Sequence, residues 1–216
     1  FFSLVPKIAR QATILDLACG NGYMGTILKR RSPEVNIVGL DTELMTMNGW
    51  QTNVGSEKNK NIFAVAGHAQ ELPFKDESFD YVLSSLLYHW ADKAEQITAE
   101  LYRTMKSDSE AIISLANPRF FKTGKYVDMD SSDPRFVREI DINNEHQFDV
   151  WLNNTVGPLT YHLRPIDQYK SMFEDAGFRK IEMFEPTFND NTFIASYDFM
   201  KKYKEHPLYL FIRAKK

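Results

Sequence analysis

Apolar and polar positions along this chain fall into short blocks whose period switches between two and about 3.6. Ala12 to Ala18 is a strand-length, mostly apolar run that contains Asp16, and Gly22 to Arg31 reads as a helix closed by Ser32-Pro33. Asn36 to Asp41 predicts a second strand, followed by a helix to about Asn53. Asn61 to Gly67 predicts a third strand, Phe79 to Leu86 a fourth and Glu110 to Asn117 a fifth, with a helix from Asp92 to Lys106 before the last. Arg164-Pro165 opens another helix, with Ile166, Tyr169, Met172, Phe173 and Ala176 on one face and Gly177 as its cap. Lys180 to Pro186 and Leu208 to Arg213 predict a sixth and a seventh strand. The seventh lacks a preceding helix of the length a parallel crossover needs, so it is expected to be antiparallel. This alternation predicts an α/β fold, a mostly parallel seven-stranded sheet with an antiparallel last strand and helices on both faces.

Residues 118–164 break the rhythm. A compact α/β fold seldom leaves so long a connection between a strand and the next helix. The stretch is polar yet aromatic (Phe120, Phe121, Tyr126, Phe136, Phe148, Trp151, Tyr161), and the aromatics argue against disorder. It is expected to form a lid or small helical cap over a substrate pocket, with a packing embellishment as the competing reading, inserted into a single domain spanning 1–216.

Composition narrows the partners. A chain of 216 residues with 43% hydrophobic residues and a mean hydropathy of -0.40 can bury one core. A net charge of -3 argues against a nucleic acid as main partner. The cluster Lys201-Lys202-Tyr203-Lys204 reads as solvated surface. No apolar run approaches the ~20 residues that span a bilayer, so no membrane partner is expected. One cysteine, Cys19, fits a reducing, cytoplasmic setting and reads as a small packing residue. Phe1-Phe2-Ser3-Leu4-Val5 is too short for a signal sequence. The lack of an initiating Met leads us to expect further residues before Phe1. Nothing in the pattern sets an oligomeric state.

The chemistry concentrates at residues 14–25. Gly20-Asn21-Gly22-Tyr23-Met24-Gly25 satisfies G-x-G-x-x-G, the dinucleotide fingerprint, and Asp41 stands where that fingerprint wants a ribose-binding acid. Asp16 opposes that reading, because a carboxylate four residues before the first glycine would repel a pyrophosphate. It suits a ligand with a cation near the loop, and S-adenosylmethionine carries an ammonium and a sulfonium but no phosphate. The string Ile14-Leu15-Asp16-Leu17-Ala18-Cys19-Gly20-Asn21-Gly22 resembles the first motif of class I S-adenosylmethionine-dependent methyltransferases. Ala66-Gly67-His68-Ala69-Gln70-Glu71-Leu72-Pro73-Phe74 resembles the segment after that family's third strand, and Phe74 to Asp80 resembles the approach to its fourth. The likeness is nearest to the small-molecule, type 11-like branch and implies a Rossmann-like fold.

The resemblance implies a cofactor shell. Asp16, Ala18, Gly20 and Gly22 would hold the amino-acid tail, Asp41 and Thr42 the ribose, His68 and Ala69 the adenine, and Ser84 and Ser85 the methionine moiety. Asp41 can accept two hydroxyls of a ribose diol, or cap a helix starting at Thr42. His68 stands where the family has Asp. A neutral imidazole could still accept from the adenine amino group, and exposed surface is the competing reading. Asp80 reads as structural.

A methyl on a sulfonium is already activated, so alignment and exclusion of water carry the transfer. A hydroxyl or protonated amine acceptor also needs a base. His89, just after the fourth strand, is the candidate, and Tyr88 a candidate pocket residue. The competing role for His89 is packing against Trp90. His146 and His162 lack motif support, and no cluster has metal-ligand spacing. Ser84-Ser85-Leu86-Leu87 replaces the (Asp/Asn)-Pro-Pro-(Tyr/Phe) of enzymes that methylate nucleic-acid or glutamine amines, while Asn117-Pro118 follows the wrong strand. The expected activity is in-line methyl transfer to O or N of a small metabolite, leaving S-adenosylhomocysteine. Carbon methylation of a quinone precursor is the nearest alternative. An NAD(P) oxidoreductase and a non-catalytic binding protein remain as other classes.

Overall fold

A computed structural model describes residues 8–42, 61–121, 126–127, 137–138, 147–151, 158–186 and 207–216. The first four strands are β1 (Thr13–Leu17), β2 (Asn36–Asp41), β3 (Ile62–Ala66) and β4 (Phe79–Ser85). β5 (Met105–Ala116) is followed by the short pairs β6 (Tyr126–Val127) with β7 (Val137–Arg138) and β8 (Gln147–Trp151) with β9 (Pro158–His162). β10 (Arg179–Phe184) and β11 (Tyr209–Lys215) close the chain. The helices are α1 (Tyr23–Arg31), α2 (Ala94–Thr104), the single turn α3 (Pro118–Phe121) and α4 (Ile166–Asp175).

Seven strands form one sheet in the order β10-β11-β5-β4-β1-β2-β3. Those from β5 to β3 run parallel, and β11 inserts antiparallel between β5 and β10, as the missing crossover helix predicts. The period of two along β1 sorts its side chains. Ile14 joins Leu28 of α1, Ile37, Leu83 and Ile112 on one face. Leu15 and Leu17 join Ala94, Ile97 and Leu101 of α2 and Tyr169, Met172 and Phe173 of α4 on the other. Each of those large side chains contributes about 1.5–3 kcal/mol by leaving water. Helices therefore cover both faces.

Two expectations change. The helix predicted to end at Lys106 stops at Thr104, and Met105 already pairs with Phe79 as extended chain. Lys106 instead donates to both oxygens of Asp80 at 2.9 Å, and Asp80 Oδ2 accepts the Thr13 N–H at 2.8 Å. That confirms Asp80 as a structural tie between β1, β4 and β5. In the 118–164 insertion, the described backbone outside α3 is strand pairing, β6 with β7 and β8 with β9, where a small helical cap was one expectation. Its aromatics Phe120 to Trp151, the helix predicted to reach Asn53, Lys201–Lys204 and His146 lie outside what the structure describes for their residues or side chains. Among the described residues no helix is long and apolar enough to cross a membrane.

Gly177 ends α4 with φ +102°, and a Cβ there would lie 2.9 Å from Cζ of Tyr102. That ring cannot retreat easily, being held edge-on by Phe178 at 5.2 Å and by Lys216 Nζ at 4.6 Å. Gly177→Ala is expected to lower stability by about 1–3 kcal/mol in chemical denaturation, from backbone strain plus the clash. A variant as stable as the parent would show that the ring yields.

Candidate functional site

Parallel strands bring their carboxyl ends to one rim, and the register decides which residues meet there. Leu17 lies level with Leu40 of β2 and with Ser84 of β4, so Ala18, Asp41 and Ser85 fall in one row. The chain leaves β1 through Ala18 at φ 57°, Gly20 at φ 50° and Gly22 at φ 79°. The two glycines accept this left-handed path at little cost, whereas Ala18 holds it against its own preference.

Backbone and carboxylate fix the loop together. Cys19 N–H donates to Leu40 O at 3.1 Å, and Gly20 N–H donates to Asp41 Oδ2 at 2.9 Å. Gly22 N–H returns to Cys19 O at 2.9 Å, and Asn21 Oδ1 accepts the first N–H of α1, from Tyr23, at 3.2 Å. Cys19 is buried among Ile14, Leu28 and Leu83, and burial first, then the charges of Asp16 and Asp41, pushes its thiol pKa up. It is an inert packing residue, as expected.

Asp16 is 1% exposed. The Gly25 N–H, in the first turn of α1, hydrogen-bonds its carboxylate, so a strand residue caps the helix that follows it. The motif pattern alone makes Gly25 incidental. Its amide is the missed participant, and its position three residues into a helix opposite an acid is the signal that could have found it. Oδ2 of Asp16 has no hydrogen-bond partner among the described residues. Burial pushes this carboxyl up to about 7; the Gly25 amide opposes that, and the charge of Asp41 adds to it. An uncompensated carboxylate next to a second one calls for a cation. A Cβ built on Gly20 meets nothing within 4 Å, so the backbone there fronts open space. Both observations fit a ligand with a positively charged amino-acid tail and oppose a pyrophosphate.

The other predicted residues scatter in exposure. Thr42 and His68 are exposed and Ala69 is buried. Gly67 N–H donates to Asp41 O at 3.0 Å, which ties the start of the loop carrying His68 and Ala69 to the end of β2. Ser84 is buried and its Oγ has no hydrogen-bond partner among the described residues, while Ser85 and Ser114 share a hydrogen bond at 3.0 Å. Leu86 follows at φ 61°, so non-glycine left-handed residues leave both β1 and β4.

His89 and Tyr88 do not stand as expected. Tyr88 is wholly buried between the sheet and α4, stacked on Phe173 at 5.8 Å and hydrogen-bonded through its hydroxyl to Thr98 at 3.2 Å. It belongs to the core, where a pocket position was expected. His89 is 2% exposed, its Nδ1 accepts the Ala116 N–H at 3.4 Å, and burial pushes its pKa down to about 3. Its one basic nitrogen is therefore engaged, and its ring packs on Trp90 at 4.9 Å and Tyr161 at 4.7 Å. The packing role fits this geometry and the general-base role does not. His162 contributes its backbone N–H, which donates to His89 O at 2.7 Å and docks β9 on the rim.

Asp16 sets a pH dependence on the free protein. Its folded-state pKa lies above the unfolded value of 3.8, so its contribution to stability is full below about 4 and falls as pH rises to about 7. Asp16→Asn keeps an acceptor for Gly25 and is expected to be more stable than the parent at pH 8, by as much as about 4 kcal/mol. Denaturant melts of the ligand-free protein across pH 4–8 check this, and parallel curves for both proteins would refute it.

Residues 15–113 match the family described as "Methyltransferase domain". The chain is 32% identical over 107 residues to a demethylmenaquinone methyltransferase of Lactobacillus johnsonii, covering 48% of this chain and 44% of that protein. It is also 32% identical over 116 residues to the biotin biosynthesis bifunctional protein BioHC of Teredinibacter turnerae, covering 49% of this chain and 20% of that one. The matches thus span less than half the length of these relatives. An S-adenosylmethionine-dependent methyltransferase structure from Mesorhizobium loti superposes with a TM-score of 0.79 at 16% identity, covering 100% of this chain and 95% of the other. Residues 15–113 are thus similar to a methyltransferase domain, and the seven-stranded sheet shares the fold of that S-adenosylmethionine-dependent methyltransferase structure.

Proposed function

We propose that the chain moves a methyl group from S-adenosylmethionine to a small-molecule acceptor. The buried Asp16 carboxylate, whose Oδ2 has no hydrogen-bond partner among the described residues, carries this reading, because it supplies the charge that a cationic cofactor tail neutralises. The cofactor supplies a methyl already activated on sulfonium. The protein's work is to bind, align and keep water out. Asp16 would meet the tail, with Ala18, Gly20 and Gly22 giving close backbone approach. Asp41 and Thr42 would take the ribose hydroxyls and Ala69 the adenine ring, with His68 beside its amino group. Ser84 and Ser85 would border the methionine moiety. The 118–164 insertion, one part of a single domain, would cover the acceptor. Its last strand is docked on the rim through His89 O and Tyr161.

Acceptor chemistry divides two readings. An O- or N-acceptor that must lose a proton in the transfer requires a base, and His89 has no open lone pair. A ring carbon activated by its own ionised hydroxyl needs no base during the methyl transfer, and the displaced ring proton leaves afterwards to solvent. Carbon methylation of a quinone precursor is therefore the second reading, and the demethylmenaquinone methyltransferase relative supports it.

S-adenosylmethionine and S-adenosylhomocysteine are expected to raise the melting temperature, and NAD and NADP to leave it unchanged; stabilisation by NAD alone would overturn the proposal. Cofactor affinity should rise with pH up to about 7 and then level off, as Asp16 becomes ionised without help from the ligand. Asp16→Asn should flatten that profile and weaken binding roughly tenfold or more at pH 8. His89→Ala should lower kcat with little change in cofactor affinity, and the parent's kcat should show no inflection near pH 6.5 that the variant loses. A limb of that kind would return His89 to the role of base. Mass-detected methyl transfer to quinol, hydroxyl and amine acceptors then separates the two readings.

A further inference from the structure

The loop from Gly67 to Asp76 joins β3 to β4 without regular structure, and it carries His68 and Ala69. Its first anchor is the Gly67 N–H on Asp41 O, and a tight turn follows in which Glu71 N–H donates to His68 O at 3.2 Å. The second anchor comes from outside the loop. On α2, Glu100 and Arg103 stand three residues apart and pair at 2.7 Å. Glu100 Oε2 accepts the Leu72 N–H at 2.7 Å. Arg103 Nη2 donates to Leu72 O at 3.1 Å and to Glu100 Oε2 at 2.7 Å. Its Nη1 donates to Phe74 O at 2.8 Å and Asp76 Oδ1 at 2.7 Å, and its Nε to Glu100 Oε1 at 2.7 Å.

All five N–H groups that a guanidinium offers are thus engaged, three on the loop and two on the partner that itself holds the loop. Backbone groups of an irregular segment need partners to keep one path. Here both polar groups of Leu72 and the carbonyl of Phe74 find theirs on a single side-chain pair. Arg103 is about one-third exposed at 32% and Glu100 at 20%, so a simple ion pair at this position would add little stability. The fork geometry is what the loop uses, and a lysine cannot reproduce it. Glu100 is held below the usual carboxylate range, first by its hydrogen bond from Arg103, and so stays ionised in mildly acidic solution.

We infer that Glu100 and Arg103 are positioning residues for base recognition, fixing the 67–76 loop so that His68 and Ala69 meet the cofactor's adenine. The inference rests on the assignment of that loop to adenine under the proposed function. Neither residue touches the cofactor. They set the distance and angle of groups that do.

The test compares two ligands on the full chain: S-adenosylhomocysteine and its inosine analogue, in which an oxo group replaces the adenine amino group. The parent should prefer the adenine form by about tenfold or more. Arg103→Lys should bring that ratio towards one while kcat at saturating cofactor stays within about twofold. Glu100→Gln, milder in shape and charge, should move the ratio in the same direction and serves where Arg103→Lys folds poorly. Lys216→Met is the control. Lys216 Nζ donates to Tyr102 O at 2.8 Å and Met105 O at 2.7 Å, at the same C-terminal end of α2 but with no bond to the loop, so its loss lowers stability while the loop keeps its own hydrogen bonds. Its ligand ratio should equal the parent's. Variants of Arg103 and Glu100 that keep the parent's ratio would overturn the positioning role. A parent with no preference between the ligands would overturn the adenine assignment itself, and the inference with it.

Discussion

One buried carboxylate organises the carboxyl end of the parallel strands. Asp16 lies at the end of the central strand β1, on the face covered by α1, and the Gly25 amide binds it from the first turn of that helix. A lone charge there would be costly, and a lone helix terminus would leave amides without partners. Each relieves the other in part. The chain must then turn from strand to helix within five residues, which is what demands the left-handed backbone at Ala18, Gly20 and Gly22. Asp41 completes the turn from the next strand by accepting the Gly20 amide. The unsatisfied remainder is Asp16 Oδ2, and a cationic ligand is the chemistry that answers it.

The strands and the parallel-to-antiparallel change were legible because they rest on local pattern. Apolar runs of strand length, Gly-Asn-Gly after β1 and the lack of a crossover-length helical pattern before β11 are each readable without long-range contacts. The end of α2 was not legible. Met105-Lys106 has good helix formers, but Lys106 gives its ammonium to Asp80 and Met105 pairs with Phe79, both of them distant in sequence. Tertiary contacts outweighed propensity there.

At the site the division is similar. Asp16 and Asp41 were legible as charged residues that end apolar strands, a position where a carboxylate has few structural uses. Tyr88 and His89 were not. They follow Leu87 in a loop, and nothing in the sequence says that Tyr88 turns inward to Phe173, or that His89 Nδ1 meets a backbone amide of β5. Arg103 was equally silent in the sequence. Three of its five hydrogen bonds depend on a loop that returns from about 30 residues earlier.

The burial of His89 links the insertion to the chemistry. Its carbonyl accepts the first N–H beyond Tyr161, and its ring lies between Trp90 and Tyr161, which meet each other at 4.2 Å. The contacts that seat β9 on the rim of the sheet help remove the imidazole from water, and the Ala116 amide of β5 occupies its lone pair. A histidine free to take a proton would have to give up the Ala116 bond and leave its packing against Tyr161. The fold therefore spends this residue on attachment. Under the proposed function, proton removal therefore does not fall to this imidazole, a constraint that acceptors already ionised on arrival satisfy.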